Sequence, residues 1–265
     1  MKPTIWLWLT IPISVLLAIA TGSELLIDGL LRGEPYFVSQ AIGQDIVTLG
    51  VALPALVAGA VLTSRGSERA RLVWLGTLTY LAYTYAIYAF HVRFNPLFLV
   101  YVALLGCSLY ALIGGLATTE FATVQARFSG KTPVRVVSIF LAIVAVLFYF
   151  SWLGEVIPAS ISGEVPQSVT QNGTPSNGVH VLDMAWILPA SALTAVWLWQ
   201  KRALAYTLAG VLLTFFSLLA LAIMAMMISM SLYAQIVASG MAAVFGVVAT
   251  ISLCLMVLYL RGLKD

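Results

Sequence analysis

Charge is what this chain has least of. Only 9% of its 265 residues are Asp, Glu, Lys or Arg, against 62% hydrophobic, and the mean hydropathy is +1.03. Soluble domains average about 25% charged residues, so the composition leaves no stretch able to form a water-soluble domain. Cysteine is equally sparse: Cys107 and Cys254 stand in neither a C-x-x-C nor any other metal-ligand spacing and read as small packing residues. A Gly-rich phosphate loop, a G-x-S-x-G elbow and an H-E-x-x-H pair are all missing, which excludes an ATP-driven pump acting alone. The net charge of +3 has no basic domain to carry it, so nucleic acid is not a partner.

What the chain does have is long apolar runs. A bilayer core needs about 20 apolar residues per helix, and stretches of that kind cover 4–21, 46–63, 72–90, 97–117, 136–153, 181–199, 206–228 and 234–260. The expected fold is therefore all-α, a polytopic integral membrane protein of about eight transmembrane helices whose main partner is the lipid bilayer.

The few charges are sorted by side. All Lys and Arg except Arg32 and Arg93 fall in segments that face one way, and all acids except Glu68, Glu120 and Asp265 fall on the other side together with His91 and His180. The positive-inside rule assigns the basic side to the cytoplasm. Both termini are then cytoplasmic, in a plasma or cytoplasmic membrane.

The two halves resemble each other. Asp45-Ile-Val-Thr-Leu-Gly-Val-Ala-Leu-Pro54 lies on His180-Val-Leu-Asp-Met-Ala-Trp-Ile-Leu-Pro189 without a gap, Glu24 matches Glu155, and Gly33-Glu34 matches Gly163-Glu164. This predicts two four-helix repeats, 1–135 and 136–265, entering the membrane in the same direction. The polar run 170–178 reads as an insertion in a flexible surface loop. Pro54 and Pro189 predict a symmetric pair of bends.

Candidate chemistry gathers at the outer side. His180 and Asp183 form an H-x-x-D pair, and Glu155 and His91 end neighbouring spans at a similar depth. These four are the candidate catalytic residues, acting by general acid–base chemistry. The same four are the donor types that ligate a divalent metal such as Zn, Mn or Fe. Haem held by the two histidines is a poorer fit, because a haem between spans more naturally takes ligands from within them. Thr77, Tyr80, Thr84, Tyr88 and His91 share one helix face, which either lines a polar crevice or hydrogen-bonds to neighbouring helices. Tyr80, Thr84 and Tyr88, with Glu24 and Arg93, are the candidate ligand-binding set. Glu24, Asp28 and Arg32, spaced i, i+4 and i+8, predict a short amphipathic helix on the outer interface. Apart from Asp183, and Asp45 at a border, the spans are read as free of ionisable groups.

Three functional classes fit. One is a membrane-embedded binding protein or enzyme with a His/carboxylate site for a small molecule, lipid head group or metal. Another is a small-solute transporter opening outward. The third is a non-catalytic accessory subunit, with small-residue stretches such as Gly240-Met-Ala-Ala-Val-Phe-Gly246 contacting a second copy or a membrane complex.

Overall fold

The computed structural model describes residues 5–236 and 239–265. Lys2 and the start of the first expected span lie outside the described residues, as do residues 237–238 in the last. In chain order the helices are α1 (Ile5–Trp8), α2 (Thr10–Leu26), α3 (Pro35–Val47), the π-helical turn π1 (Thr48–Ala52), α4 (Leu53–Ser64), α5 (Glu68–His91), α6 (Phe98–Ala117) and α7 (Phe121–Ala126). They continue as α8 (Val134–Ser162), α9 (Gln167–Asn172), α10 (Gly178–Leu182), π2 (Asp183–Ile187), α11 (Leu188–Trp199), α12 (Ala203–Tyr233) and α13 (Ser239–Arg261). No β-strand occurs among the described residues. The protein is an all-α, multi-pass membrane protein.

Seven rods are long and apolar enough to cross a bilayer: Ile5–Leu26, Pro35–Ser64, Phe98–Ala117, Val134–Ser162, Gly178–Trp199, Ala203–Tyr233 and Ala242–Arg261. Helix α5 has the length, 24 residues or about 36 Å, but a more polar sequence. Its surroundings explain this, since protein rather than lipid encloses it: Trp74, Tyr80, Tyr83 and Tyr85 are all fully buried. Helices α5 and α12 form the centre of the bundle, with α3, α4 and α6 packed around them. Glycines permit the closest approaches. A methyl group on Gly43 of α3 would sit 2.5 Å from the Ala225 carbonyl oxygen of α12, and one on Gly76 of α5 would sit 2.7 Å from that of Val211. Small residues are how membrane helices bring backbones together.

Charge is segregated by end. At one end Arg71 donates to the Thr118 carbonyl at 2.8 Å and pairs with buried Glu68 at 3.8 Å, while Arg127 approaches the same Glu68 at 3.9 Å. Arg69 donates to the Leu263 carbonyl, the Lys264 N–H to Arg127, and Gln125 to the Lys201 carbonyl. The basic segments thus meet at one face. At the other end Arg93 pairs with Glu34 at 3.6 Å, both about half exposed.

The structure corrects three expectations. The rod expected over 46–63 begins at Pro35, so Asp45 lies well inside a helix and is 2% exposed. Glu24, Asp28 and Arg32 do not share an amphipathic helix: α2 ends at Leu26, Glu24 is buried in its last turn, and Asp28 and Arg32 lie exposed in the following turn, where Gly29 has φ +75°. The spans are not otherwise free of ionisable groups, because Glu24, Glu155 and His180 all belong to spanning rods. In the run 170–178, residues 170–172 close α9, Gly178 opens α10, and 173–177 form the surface loop between them, where Gly173 lies against the side chain of Glu34, the residue before α3.

Pro54 and Pro189 each follow a π-helical turn. A proline ring lacks the N–H and clashes with the carbonyl one turn back, and a wider turn relieves both demands. Thr48–Ala52 and Asp183–Ile187 have equal length, occupy matching positions in the alignment of the halves, and are each followed by a 12-residue α-helix beginning Leu-Pro.

Candidate functional site

A cavity of about 370 Å³ lies between α3, α5, α8, α10, α12 and α13, with Ser168 and Asn172 of α9 also in its lining. Its polar lining includes His91, Glu155, Ser168, Asn177, His180 and Asp183. Its apolar lining includes Phe148, Phe216, Leu219, Ile223, Met227 and Phe245. Such a mixed lining suits a molecule that has both polar and apolar parts.

Two networks fix the polar lining. Asp183, in the first position of π2, accepts from the Tyr83 hydroxyl and from the Trp152 indole N–H, both at 2.9 Å, so each of its oxygens is engaged. Trp152 in turn lies against the His180 ring, centroids 4.3 Å apart. Glu155 accepts from the Ser168 backbone N–H at 2.9 Å through Oε1, and turns Oε2 toward His180 Nε2 at 3.7 Å. That separation exceeds a direct hydrogen bond and is an ion-pair contact when the imidazole carries a proton. His180 is buried at 3% exposure, its backbone N–H is capped by Asn177 Oδ1 at 3.2 Å, and its Nδ1 has no hydrogen-bond partner. Tyr149 ties π2 to α8 by donating to the Met184 carbonyl at 2.6 Å.

The roles divide accordingly. His180 beside Glu155 is the pair equipped to take up or release a proton. Asp183 holds the Tyr83 hydroxyl and the Trp152 indole, and Trp152 in turn lies on the imidazole. His91 packs its ring on Gly178 at the start of α10, in contact distance of any Cβ added there. Gly178→Ala is therefore expected to displace His91 and cost about 1–3 kcal/mol by overpacking. Thermal unfolding of the purified variant checks this; an unchanged midpoint would contradict the contact.

The remaining sequence candidates separate. Tyr80 shares a hydrogen bond with Thr48 at 2.9 Å, and Thr84 accepts from Gln44 at 2.9 Å. Both join α5 to the Pro35–Ser64 rod and do not line the cavity. Tyr88 does both: it donates to Asp45 at 3.1 Å and forms part of the cavity wall. Glu24 lies apart, bonded by the Tyr101 hydroxyl. Arg93 lies at the outer rim with Glu34. Among the described residues no three His, Cys, Asp or Glu side chains are arranged to hold a metal ion, so the set His91, Glu155, His180 and Asp183 does not form a metal centre. The physical reason is local: Asp183 spends its oxygens on Tyr83 and Trp152, and Trp152 is wedged beside His180.

Sequence reasoning missed Tyr83, Trp152, Ser168 and Asn177. Trp152 was detectable, since it precedes Glu155 by one helical turn and shares its face. Tyr83 lies off the Thr/Tyr stripe of α5, and only the fold brings it to Asp183. No protein-family model matches the chain, and neither a curated protein nor a solved structure matches it.

Proposed function

We propose that this chain is a membrane-embedded binding protein or enzyme that takes an amphipathic small molecule or lipid head group into its outer-leaflet cavity. Glu155 and His180 meet the polar head, by proton exchange or hydrogen bonding, and the Phe and Met side chains of α8, α12 and α13 receive the apolar part. The observation that carries this reading is one cavity lined by both a His/carboxylate group and a set of aromatic and Met side chains. With Glu155 and Asp183 in the polar lining, a head group that donates hydrogen bonds or carries positive charge is favoured over an anion.

In this reading α5 is the eighth crossing. It joins α4 to α6 through short connections, and its length of about 36 Å carries the chain from one face to the other. The basic end faces the cytoplasm of a plasma or cytoplasmic membrane, with both termini on that side. The two halves are parallel four-helix repeats, a view supported by the matching π turns.

The test is native mass spectrometry of protein purified in mild detergent. Wild type is expected to retain an amphipathic molecule that Ala220→Phe, which fills the cavity, excludes, while His180→Ala weakens retention about tenfold, the scale of one lost hydrogen bond. Equal retention by wild type and Ala220→Phe would overturn the proposal. A transporter is the second reading, favoured by the pairing of π turns with Pro54 and Pro189, which are bends suited to moving rods. It predicts uptake into proteoliposomes that Gly50→Pro in π1 abolishes without loss of folding.

A further inference from the structure

Glu24 and Asp45 form a second ionisable site, outside the Glu155–His180 pair and independent of what the cavity binds. Glu24, in the last turn of α2, is 7% exposed, and Asp45, inside α3, is 2% exposed. Their carboxyl groups lie close enough to act directly on each other. Tyr101 of α6 donates to Glu24 Oε1, Tyr88 of α5 donates to Asp45 Oδ1 at 3.1 Å, and Asn95 donates to the Tyr101 hydroxyl at 3.3 Å. The Tyr85 ring packs against both tyrosines, with centroids 5.5 and 6.2 Å away. Each carboxyl retains one enclosed oxygen, Glu24 Oε2 and Asp45 Oδ2, that no N–H or O–H of the described residues reaches. The titratable groups facing the pair are these three tyrosines together with Tyr80, and none of the described Lys, Arg or His side chains is among them.

Two carboxylates in mutual contact, enclosed and without a cationic partner, repel each other and have lost their water. A proton between them removes the repulsion and supplies the hydrogen their contact requires, as in carboxyl dyads generally. We propose that Glu24 and Asp45 form a proton-binding site that holds a single exchangeable proton, in communication with the outer cavity through Tyr88. Tyr88 is the link because its hydroxyl touches Asp45 while its side chain lines the cavity. The alignment of the halves adds support: Glu24 corresponds to Glu155 and Asp45 to His180, and the second pair also meets across the two corresponding rods, at 3.7 Å. Each half then carries a Glu facing a proton-bearing group, an imidazole in one and a carboxyl in the other.

Infrared spectroscopy of the full chain in lipid nanodiscs tests the proposal. Subtracting the Glu24→Gln or Asp45→Asn spectrum from wild type at neutral pH is expected to leave one carboxylic-acid C=O band, which shifts on transfer to D2O. An amide in either position donates its own N–H to the remaining carboxylate and removes the need for the proton, so both variants lose the band while keeping the contact. Two independent variants guard against one that does not fold, and any other protonated carboxyl cancels in the difference. Tyr88→Phe is expected to keep the band but move it, one donor having been removed. A featureless difference for both variants, a band that ignores D2O, or a sodium-dependent gain in wild-type stability that both variants lose would overturn it, the last by putting a cation where the proton is proposed.

Discussion

Asp183→Ala is expected to destabilise the protein by about 2–4 kcal/mol, because it strands two buried donors at once. Tyr83 and Trp152 both depend on Asp183, at 2.9 Å each, and neither has another acceptor among the described residues. Trp152 also supports the His180 ring, so the loss should spread to the cavity and abolish ligand retention as well as lower the unfolding midpoint. Asp183→Asn makes the argument specific. An Asn oxygen still accepts from the indole, which can only donate, and its amide can donate to the Tyr83 hydroxyl, which can also accept. The Asn variant should therefore stay close to wild type in stability and keep the geometry. If the Ala and Asn variants unfolded alike, the side-chain network would not be the reason for either effect.

Gly43→Ala should have a comparably large effect by a different route. Its new methyl group would meet backbone atoms of α12, the Ala225 oxygen at 2.5 Å and the Met226 Cα at 2.6 Å, and backbone cannot rotate aside. The rods α3 and α12 must separate, at an expected cost of about 1–3 kcal/mol or more, and the cavity between them must widen or collapse. Gly106→Ala is the control: nothing lies within 4 Å of a methyl group there, so its midpoint should shift by less than about 0.5 kcal/mol. Differential scanning fluorimetry of the three proteins in one detergent distinguishes steric conflict from a general intolerance of change at glycine.

The spanning rods were legible in the sequence because lipid imposes one demand on every residue that faces it. The apolar runs and the sorting of Lys and Arg are direct records of that demand. Helix α5 was legible for the same reason in reverse, since Thr77, Tyr80, Thr84 and Tyr88 would be costly against lipid and so had to face protein. The grouping of His180 with Glu155 followed from chain order and depth, and the structure brings them to 3.7 Å. Other features were hidden by the limits of local pattern. Asp45 looked like a border residue because Tyr36, Gln40 and Gln44 lower the hydropathy of the first turns of α3, yet those turns are covered by protein and continue the rod. Glu24 looked surface-bound because its i+4 and i+8 neighbours are charged, and Gly29 ends that periodicity. The engagement of Asp183 by a tyrosine from α5 and a tryptophan from α8 depends on contacts between residues far apart in the chain. Composition records the solvent each helix faces, whereas the partner of a buried carboxylate is set by which helices the bundle makes neighbours.

The uneven tightness of the bundle bears on how a guest would arrive. Gly43 and Gly76 clasp α3 and α5 to α12 backbone against backbone, and 56% of the α12 membrane window is buried. For α13, which contributes Phe245 to the cavity wall, the figure is 17%. Helix α13 is held by its long seam with α12 and leaves most of its surface to the hydrocarbon, so a guest dissolved in lipid would meet on it a helix that is also a wall of the cavity.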